Sequence, residues 1–395
     1  MLFRSDQERL DIVAGFARRM VSAAGGGIEI HTTASQAEAV RGADFVVSQF
    51  RVGQQAARHR DELLGREFGL IGQETVGVGG FAKGLRTIPV ALALADTILD
   101  EAPHAILLNF TNPAGMVTEA LLRERPELLT IGLCNVPWNV KNEIATTLGY
   151  TFSDLDLDYV GLNHLSWVRG IKADGQDISQ AAIAGFRGLT GKQAAGDDEP
   201  AWQPDTIDIL EAIPNYYLLY YYETEQWLRY QQAHPTRASE VMEIEADLLR
   251  RYADPDLREK PAELMKRGGA YYSDSAAELM ADISADAGTI HIVNTRSHGA
   301  VPGMKADEVM ELPCIIDGAG ATPIPTSAMR PDVNALVRTV KDFELLTIRA
   351  AVDGDEDSAL RALITNPLGP DLSDAPAVWR RLQEEHRGLL GALNG

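Results

Sequence analysis

The residues with the greatest capacity for chemistry in this sequence are a cysteine and a histidine, Cys134 and His164. Cys134 lies in GLCNVP and His164 in GLNHLSW, and each follows a predicted strand. A thiolate and an imidazole on adjacent strand ends can share one divalent transition ion and leave positions open for substrate hydroxyls. Their separation along the chain matches no local metal-binding spacing. By spacing alone, a small buried cysteine and a hydrogen-bonded histidine remain the ordinary interpretation.

Two asparagines stand at the end of another predicted strand. In LLNFTNPAGMVTEALLR, Asn109 and Asn112 precede the start of a helix, at the edge where open α/β sheets bind ligands. The Thr-Asn-Pro sequence resembles the turn of lactate- and malate-type dehydrogenases that contacts the nicotinamide. The alternative is that both asparagines only cap the helix.

The elements that must position these residues follow a βαβ rhythm. Continuous apolar runs predict buried parallel strands, and helical spacing of apolar residues predicts the helices between them. The strands are predicted at residues 28–31, 43–50, 105–109 and 129–133, and the helices at 7–24, from 35, 85–101 and 115–123. We therefore expect a Rossmann-like, doubly wound sheet in an NAD-binding domain over residues 1–150.

The rhythm changes after residue 150. Two strands joined by a tight turn are predicted at 159–163 and 167–172, helices dominate 206–254, 275–286 and 334–393, and one strand is predicted at 289–294. Residues 151–395 are expected to form an α+β substrate and metal domain.

Composition narrows the possible partners. Hydrophobic residues at 45% and charged residues at 24% are typical of a globular protein. The net charge of −21 disfavours nucleic acid and anionic membrane surfaces as partners. Two distant cysteines and the absence of a signal peptide favour a cytoplasmic location.

Seven short motifs give the chain a resemblance to one enzyme family. They are FRVG at 50, GQETVGVGG at 72, LRTIP at 85, NFTNPAG at 109, GLCNVP at 132, GLNH at 161 and RGGAYYS at 267. Their order resembles that of family 4 of the glycoside hydrolases, and GLCNVP is similar to the form in its 6-phospho-β-glucosidases.

The resemblance implies a substrate and a mechanism. The substrate would be a phosphorylated disaccharide, such as cellobiose 6-phosphate, or another 6-phospho-β-glucoside. This NAD-dependent family departs from two-carboxylate glycosidase chemistry. NAD+ takes hydride from C3, a base removes the C2 proton with help from a divalent ion such as Mn2+, the aglycone leaves C1, water adds, and the hydride returns.

The resemblance also implies roles for individual residues. Cys134 and His164 become the metal ligands, and the tyrosine base falls on Tyr272, with Tyr271 as its rival. A neighbouring cation would lower the pKa of a phenol enough for proton abstraction. The general acid stays unassigned.

Substrate and cofactor contacts follow in the same way. Arg51 would hold the 6-phosphate, with Arg296 as a second phosphate contact. The amides expected to touch the sugar are Asn112, Asn135 and Asn163, whereas the amides expected at the nicotinamide are Asn109 and Asn112. A homodimer or homotetramer is also implied. The tyrosine-rich run at 215–222 is interpreted as core or interface in preference to a sugar platform.

The chain departs from the family pattern at its start. Family members begin with a strand and a glycine-rich turn, whereas the match here starts at about residue 6, so we expect that roughly forty residues carrying the pyrophosphate loop are missing. Activity would then be impaired. The alternatives are a hydroxy-acid dehydrogenase, which needs a His–Asp pair and no metal, and a catalytically impaired sugar-phosphate-binding remnant.

Overall fold

The computed structural model describes residues 1–3, 6–193, 199–267 and 271–393. Its N-terminal part is a small unit in which strand β1 (Leu2–Phe3) pairs in parallel with β2 (Thr32–Thr33). Helix α1 (Gln7–Ala23) connects them and begins at Asp6, whose carboxylate accepts the amide of Arg9. Helix α2 (Gln36–Val40) follows.

The next elements build the parallel part of the main sheet. In chain order they are β3 (Phe45–Ser48), α3 (Gln54–Glu67), α4 (Gly77–Glu101), β4 (Ile106–Asn109), α5 (Ala114–Glu124), β5 (Thr130–Gly132) and α6 (Asn135–Leu148). Strands β3, β4 and β5 pair in parallel. Their carboxyl ends therefore meet at one edge, where polar side chains from three segments converge.

A second, antiparallel sheet follows. Its strands are β6 (Leu155–Leu162), β7 (Leu165–Ala173), β8 (Gln176–Asp177) and β9 (Ile213–Pro214), and both β8 and β9 pair with β7. The helices around and after it are α7 (Ser179–Gln193), α8 (Pro204–Leu210), α9 (Leu219–Tyr222), α10 (Thr224–Ala233), α11 (Arg237–Tyr252) and α12 (Tyr272–Ala285).

The last strands return to the main sheet. They are β10 (Thr289–Arg296), β11 (Val309–Asp317) and β12 (Gly320–Pro323), and the six-stranded order is β12-β11-β10-β5-β4-β3. Strand β10 pairs antiparallel with β5, with Asn294 opposite Gly132. Helices α13 (Pro331–Asp353), α14 (Glu356–Thr365) and α15 (Ala375–Glu385) complete the fold.

Helix α4 lies at the centre of the core. Among the described residues it alone is long and apolar enough to cross a membrane, but 78% of that apolar stretch is buried inside the protein. Its apolar residues pack against α3, α5 and α13, as expected of a core helix.

The Rossmann-like fold class is confirmed, with local corrections. The strand predicted at 28–31 is wrong, because the backbone pairs with β1 only at Thr32 and Thr33. Helices α3 and α6 and strand β11 were not predicted. In the described residues, β3 pairs only with β4, and β1 and β2 stay apart from the main sheet.

Candidate active site

The site is built at the carboxyl edge of the parallel strands. Cys134 follows β5 and caps helix α6, where its sulfur accepts the amide of Val136. His164 lies in the tight turn between β6 and β7, with a positive φ of 65°. The second sheet thereby delivers the histidine to the strand end that carries the cysteine.

Cys134 and His164 are brought together in the interior. Their side chains are 5% and 4% exposed, and Cys134 Sγ lies 3.5 Å from His164 Nε2. One ion can bridge this gap, because zinc, for example, lies about 2.3 Å from sulfur and about 2.1 Å from nitrogen in proteins. The structure thus places Cys134 and His164 close enough to bind one ion, as predicted.

A threonine fixes the protonation of the histidine. The Thr75 hydroxyl donates to Gln73 Oε1 at 2.8 Å, and that oxygen also accepts the backbone amides of Thr75 and Val76, so it is the carbonyl end of the amide. Thr75 Oγ1 is left to accept from His164 Nδ1 at 2.8 Å. The proton therefore resides on Nδ1, and the lone pair of Nε2 points towards the sulfur, as a metal ligand requires.

Burial keeps both candidate ligands neutral in the protein alone. It raises the pKa of the Cys134 thiol to about 12 and lowers the pKa of His164 to about 3. A neutral imidazole is the form that binds metals, and a coordinated thiol is deprotonated by the ion itself. Within the described residues no cluster of three or more acidic, cysteine or histidine side chains is suited to a metal. Substrate or water would have to complete the coordination.

Two tyrosines adjoin the pair. The ring of Tyr217 stacks on that of His164 at 3.8 Å with an angle of 2° between the planes, which holds the imidazole in one orientation. Tyr272 begins α12, packs edge-on against Phe110 and has its hydroxyl near the Asn112 side chain. The tyrosine-rich run, interpreted as core or interface, thus contributes Tyr217 to the site.

The candidate base Tyr272 is more enclosed than its rival. Burial raises the pKa of Tyr272, and Cys134 acts in the same direction, whereas proton abstraction needs a lower value. A bound cation would oppose this shift. Tyr271 instead stacks on Trp138 and is 38% exposed. Gly268, Gly269 and Ala270 of the same motif lie outside the described residues.

A buried carboxylate with surrounding cations forms the next part of the site. Arg51 donates to Glu74 in a short contact, Lys83 Nζ lies 2.9 Å from Glu74 Oε2, and Arg58 lies 3.5 Å from Oε1. Although burial opposes it, these three cations hold the pKa of Glu74 well below its usual range. Glu62 pairs with Arg58 at 2.7 Å. Burial lowers the pKa of Lys83 to about 7, and Arg51 and Arg58 act in the same direction. The cluster therefore carries one surplus positive charge when Lys83 is protonated, and an anion bound there would favour that protonated form.

The asparagines take different positions. Asn163 donates to Glu311 and lies near the Cys134 thiol, whose pKa it lowers. Asn135 begins α6 beside Cys134 and is buried. Asn112 lies near the Tyr272 hydroxyl and acts to lower its pKa. Asn109 is 1% exposed. Its Oδ1 accepts from Ser48 and its Nδ2 donates to Thr118, so its amide braces the strand ends rather than facing a cofactor.

Arg296 is not brought to the site. It lies on β10 two residues beyond Asn294, on the side towards the amino end of β5, because the two strands run antiparallel. Its guanidinium donates to the carbonyl of Leu122 near the end of α5. The guanidinium of Arg296 therefore lies away from Cys134 and His164, and the proposal below gives it no phosphate contact.

Several residues of the site were not predicted from the sequence. Thr75 and Glu74 stand inside the quoted motif GQETVGVGG, so the signal was available. The others, which only the three-dimensional packing brings in, are Arg58, Lys83, Tyr217 and Glu311.

Comparison with known proteins identifies relatives along the whole chain. Residues 1–150 match the model of the family 4 glycosyl hydrolases, and residues 159–369 match that of their C-terminal domain. A probable 6-phospho-β-glucosidase of Bacillus subtilis is 40% identical, with 97% of this chain and 88% of the relative covered.

Solved structures agree with this relationship. The 6-phospho-β-glucosidase of Thermotoga maritima, solved with manganese, NAD+ and glucose 6-phosphate, is 35% identical with a TM-score of 0.91, covering 98% of this chain and 91% of that one. Malate dehydrogenase of Plasmodium falciparum, 11% identical with a TM-score of 0.52, covers 89% and 90% and shares the fold alone. These coverages give no support to loss of activity by truncation. The chain belongs to family 4 of the glycosyl hydrolases.

Proposed function

We propose that this chain hydrolyses 6-phospho-β-glucosides with the help of NAD+ and a divalent metal, Mn2+ in the first instance. The observation that carries the proposal is the Cys134–His164 pair, with Nε2 unprotonated and 3.5 Å from the sulfur. Such a pair offers an ion two protein ligands and leaves the remaining positions to substrate oxygens. The relatives named above, with NAD+, manganese and glucose 6-phosphate bound in one of them, support the same conclusion.

The phosphate end of the substrate is assigned to the cation cluster. Arg51 is its most accessible cation, with a side chain 23% exposed, and its guanidinium can bind a phosphate through two hydrogen bonds. Arg58 and Lys83 add positive charge from the interior. The overall charge of −21 repels anions in general, so a local surplus of this kind is what a phosphorylated sugar needs.

The remaining roles follow from the placement of each side chain. When bound, NAD+ supplies a hydride acceptor and the ion a Lewis acid. Tyr272 is the proposed base for the proton on C2. Asn135 and Asn163 are proposed to bind the sugar. Asn112, which lies near the Tyr272 hydroxyl, is proposed to lie where sugar and nicotinamide meet. Asn109 supports that turn from behind.

The hydroxy-acid dehydrogenase is not favoured. That reaction relies on a histidine paired with an aspartate, whereas the ring nitrogens of His164 face Thr75 and Cys134. We propose a cytoplasmic location and a homodimer or homotetramer, without nucleic acid or membrane partners, in keeping with the acidic charge and the two free, buried cysteines.

The test is cleavage of p-nitrophenyl β-glucoside 6-phosphate by the full chain, with the α-anomer and the unphosphorylated β-glucoside as matched controls. We expect release of nitrophenol only from the phosphorylated β-glucoside, and only when both NAD+ and Mn2+ are present. Turnover that persists after dialysis against a chelator and complete removal of NAD+ would contradict the proposal.

A further inference from the structure

A carboxylate without a cationic partner lies behind the proposed metal pair. Glu311 on β11 is 0% exposed, and in the described part of the chain no lysine or arginine pairs with it. Its Oε2 accepts from the Tyr159 hydroxyl at 2.6 Å, and its Oε1 accepts from Asn163 Nδ2 at 2.9 Å and Asn294 Nδ2 at 3.1 Å. Burial raises the pKa of Glu311, and these hydrogen bonds from neutral groups oppose that shift by stabilising the carboxylate form.

This arrangement decides which way the Asn163 amide points. A carboxylate only accepts hydrogen bonds, so the Asn163 atom that faces it must be the NH2 group, and Oδ1 must point elsewhere. The same side chain lies close enough to Cys134 to lower the pKa of its thiol, against the larger effect of burial, and it is adjacent in sequence to His164. On its other flank, a Cβ at Gly115 would lie 3.0 Å from Asn163 Cβ, so the start of α5 packs closely against Asn163 because residue 115 is glycine.

We infer that Glu311 is a positioning residue that holds the Asn163 amide oxygen towards the substrate, where it accepts a hydrogen bond from a sugar hydroxyl. The inference rests on the proposed function, because it takes a sugar phosphate as the ligand. Glu311 itself touches no substrate. Its effect on binding must pass through Asn163, and this distinguishes it from a carboxylate that only stabilises the fold.

A double-mutant cycle tests this dependence. The dissociation constant of glucose 6-phosphate is measured by calorimetry, in the presence of Mn2+, for the wild type, Glu311→Gln, Asn163→Ala and the double variant. The glutamine can turn its own NH2 towards Asn163, so the amide loses its fixed orientation. We expect each single variant to bind about 10-fold more weakly, the equivalent of one hydrogen bond, and the double variant to bind no more weakly than Asn163→Ala.

A matched control uses another buried carboxylate beside the same strand. Glu119 is 0% exposed, accepts the amide of Val309 and pairs with Lys341, and among the described residues it forms no hydrogen bond with Asn163. Any change that Glu119→Gln causes in the dissociation constant of glucose 6-phosphate should multiply with the change that Asn163→Ala causes. If Glu311→Gln does not fold, Glu311→Asp keeps the charge, withdraws it from Asn163, and should show the same dependence in its own cycle.

The outcomes are separable. The inference is overturned if the losses of affinity caused by Glu311→Gln and Asn163→Ala multiply in the double variant, as they should in the control. It is also overturned if the wild type binds no glucose 6-phosphate. A wild type that binds glucose 6-phosphate but cleaves no phosphoglucoside overturns the proposed function alone, because the cycle still reports on Asn163.

Discussion

At the scale of single residues, metal binding by His164 Nε2 depends on the Thr75 hydroxyl, which hydrogen-bonds the other ring nitrogen, Nδ1. The Thr75 hydroxyl donates a hydrogen bond to Gln73 Oε1 and accepts one from His164 Nδ1–H. Groups that orient a metal ligand in this way commonly affect metal affinity by about 10- to 100-fold. Because Thr75 accepts from Nδ1, the ring proton is on Nδ1 and the lone pair of His164 Nε2 is free to bind a metal.

Replacing Thr75 by valine should therefore weaken metal binding while the fold persists. Valine fills the same space but leaves Nδ1 without an acceptor, which removes the preference for the proton on Nδ1. We expect Mn2+ to bind about 10- to 100-fold more weakly, as measured by titration with electron paramagnetic resonance of the free ion.

The control for Thr75→Val is Thr87→Val. Thr87 is also buried, lies on α4, and its hydroxyl has no hydrogen-bond partner within the described residues. The control should leave Mn2+ affinity unchanged. Equal affinities for wild type and Thr75→Val would show that Thr75 does not set the state of His164.

Residue types could be predicted from the sequence better than their surroundings. Cys134, His164 and Tyr272 lie in one site. The family resemblance predicted this grouping, whereas their spacing along the chain did not. The contacts of Asn109 and Arg296 could not be predicted. Neither motif nor spacing reveals that the Asn109 amide bonds Ser48 and Thr118, or that the Arg296 guanidinium turns towards Leu122.

At the scale of elements, the start of α4 holds in position the segment with Gln73 and Thr75 that hydrogen-bonds His164. A Cβ at Gly79 would lie 2.1 Å from the carbonyl oxygen of Gln73, and one at Gly80 would lie 2.5 Å from that of Thr75. Real Cβ atoms do not approach backbone atoms so closely. The first turn of α4 therefore needs glycine to lie against the segment that contacts His164.

The substitution Gly79→Ala should damage both the fold and the metal site. The methyl group must push the 73–75 segment away, at a cost of about 1–3 kcal/mol for overpacking, and Thr75 should move with it. We expect a lower melting temperature together with weaker Mn2+ binding.

The comparison variant for Gly79→Ala is Gly188→Ala. Gly188 is an exposed position of α7 with open space around it, where alanine should stabilise the helix by about 0.5–1 kcal/mol. Unchanged stability and metal affinity in Gly79→Ala would refute the tight packing of this turn.

The elements most visible in the sequence were those with clear periodicity. Helix α1 and strand β4 came out within one residue of their predicted bounds. Strand β11 was missed although it carries Glu311. Its sequence, VMELPCIID, places a glutamate and a proline inside an apolar run, and only the donors around Glu311 make that glutamate acceptable in a core.

At the scale of the whole molecule, the site requires both halves of the chain. Cys134 and the cation cluster come from the first 150 residues, whereas His164, Tyr217, Tyr272 and Glu311 come from the remainder. The main sheet also crosses the predicted boundary, since β10 pairs with β5. Pairing between strands so far apart leaves no local pattern, so the sequence could indicate two regions but not their shared sheet.

The measurement that tests the central claim most directly is deuterium incorporation at C2. The full chain, with NAD+ and Mn2+, is allowed to cleave p-nitrophenyl β-glucoside 6-phosphate in D2O, and the glucose 6-phosphate formed is analysed by proton NMR. Because Tyr272 is proposed to remove the C2 proton and to exchange it with solvent, we expect deuterium at C2 of the product. Complete cleavage with the original hydrogen retained at C2 would contradict the mechanism, since direct displacement at C1 leaves that bond untouched.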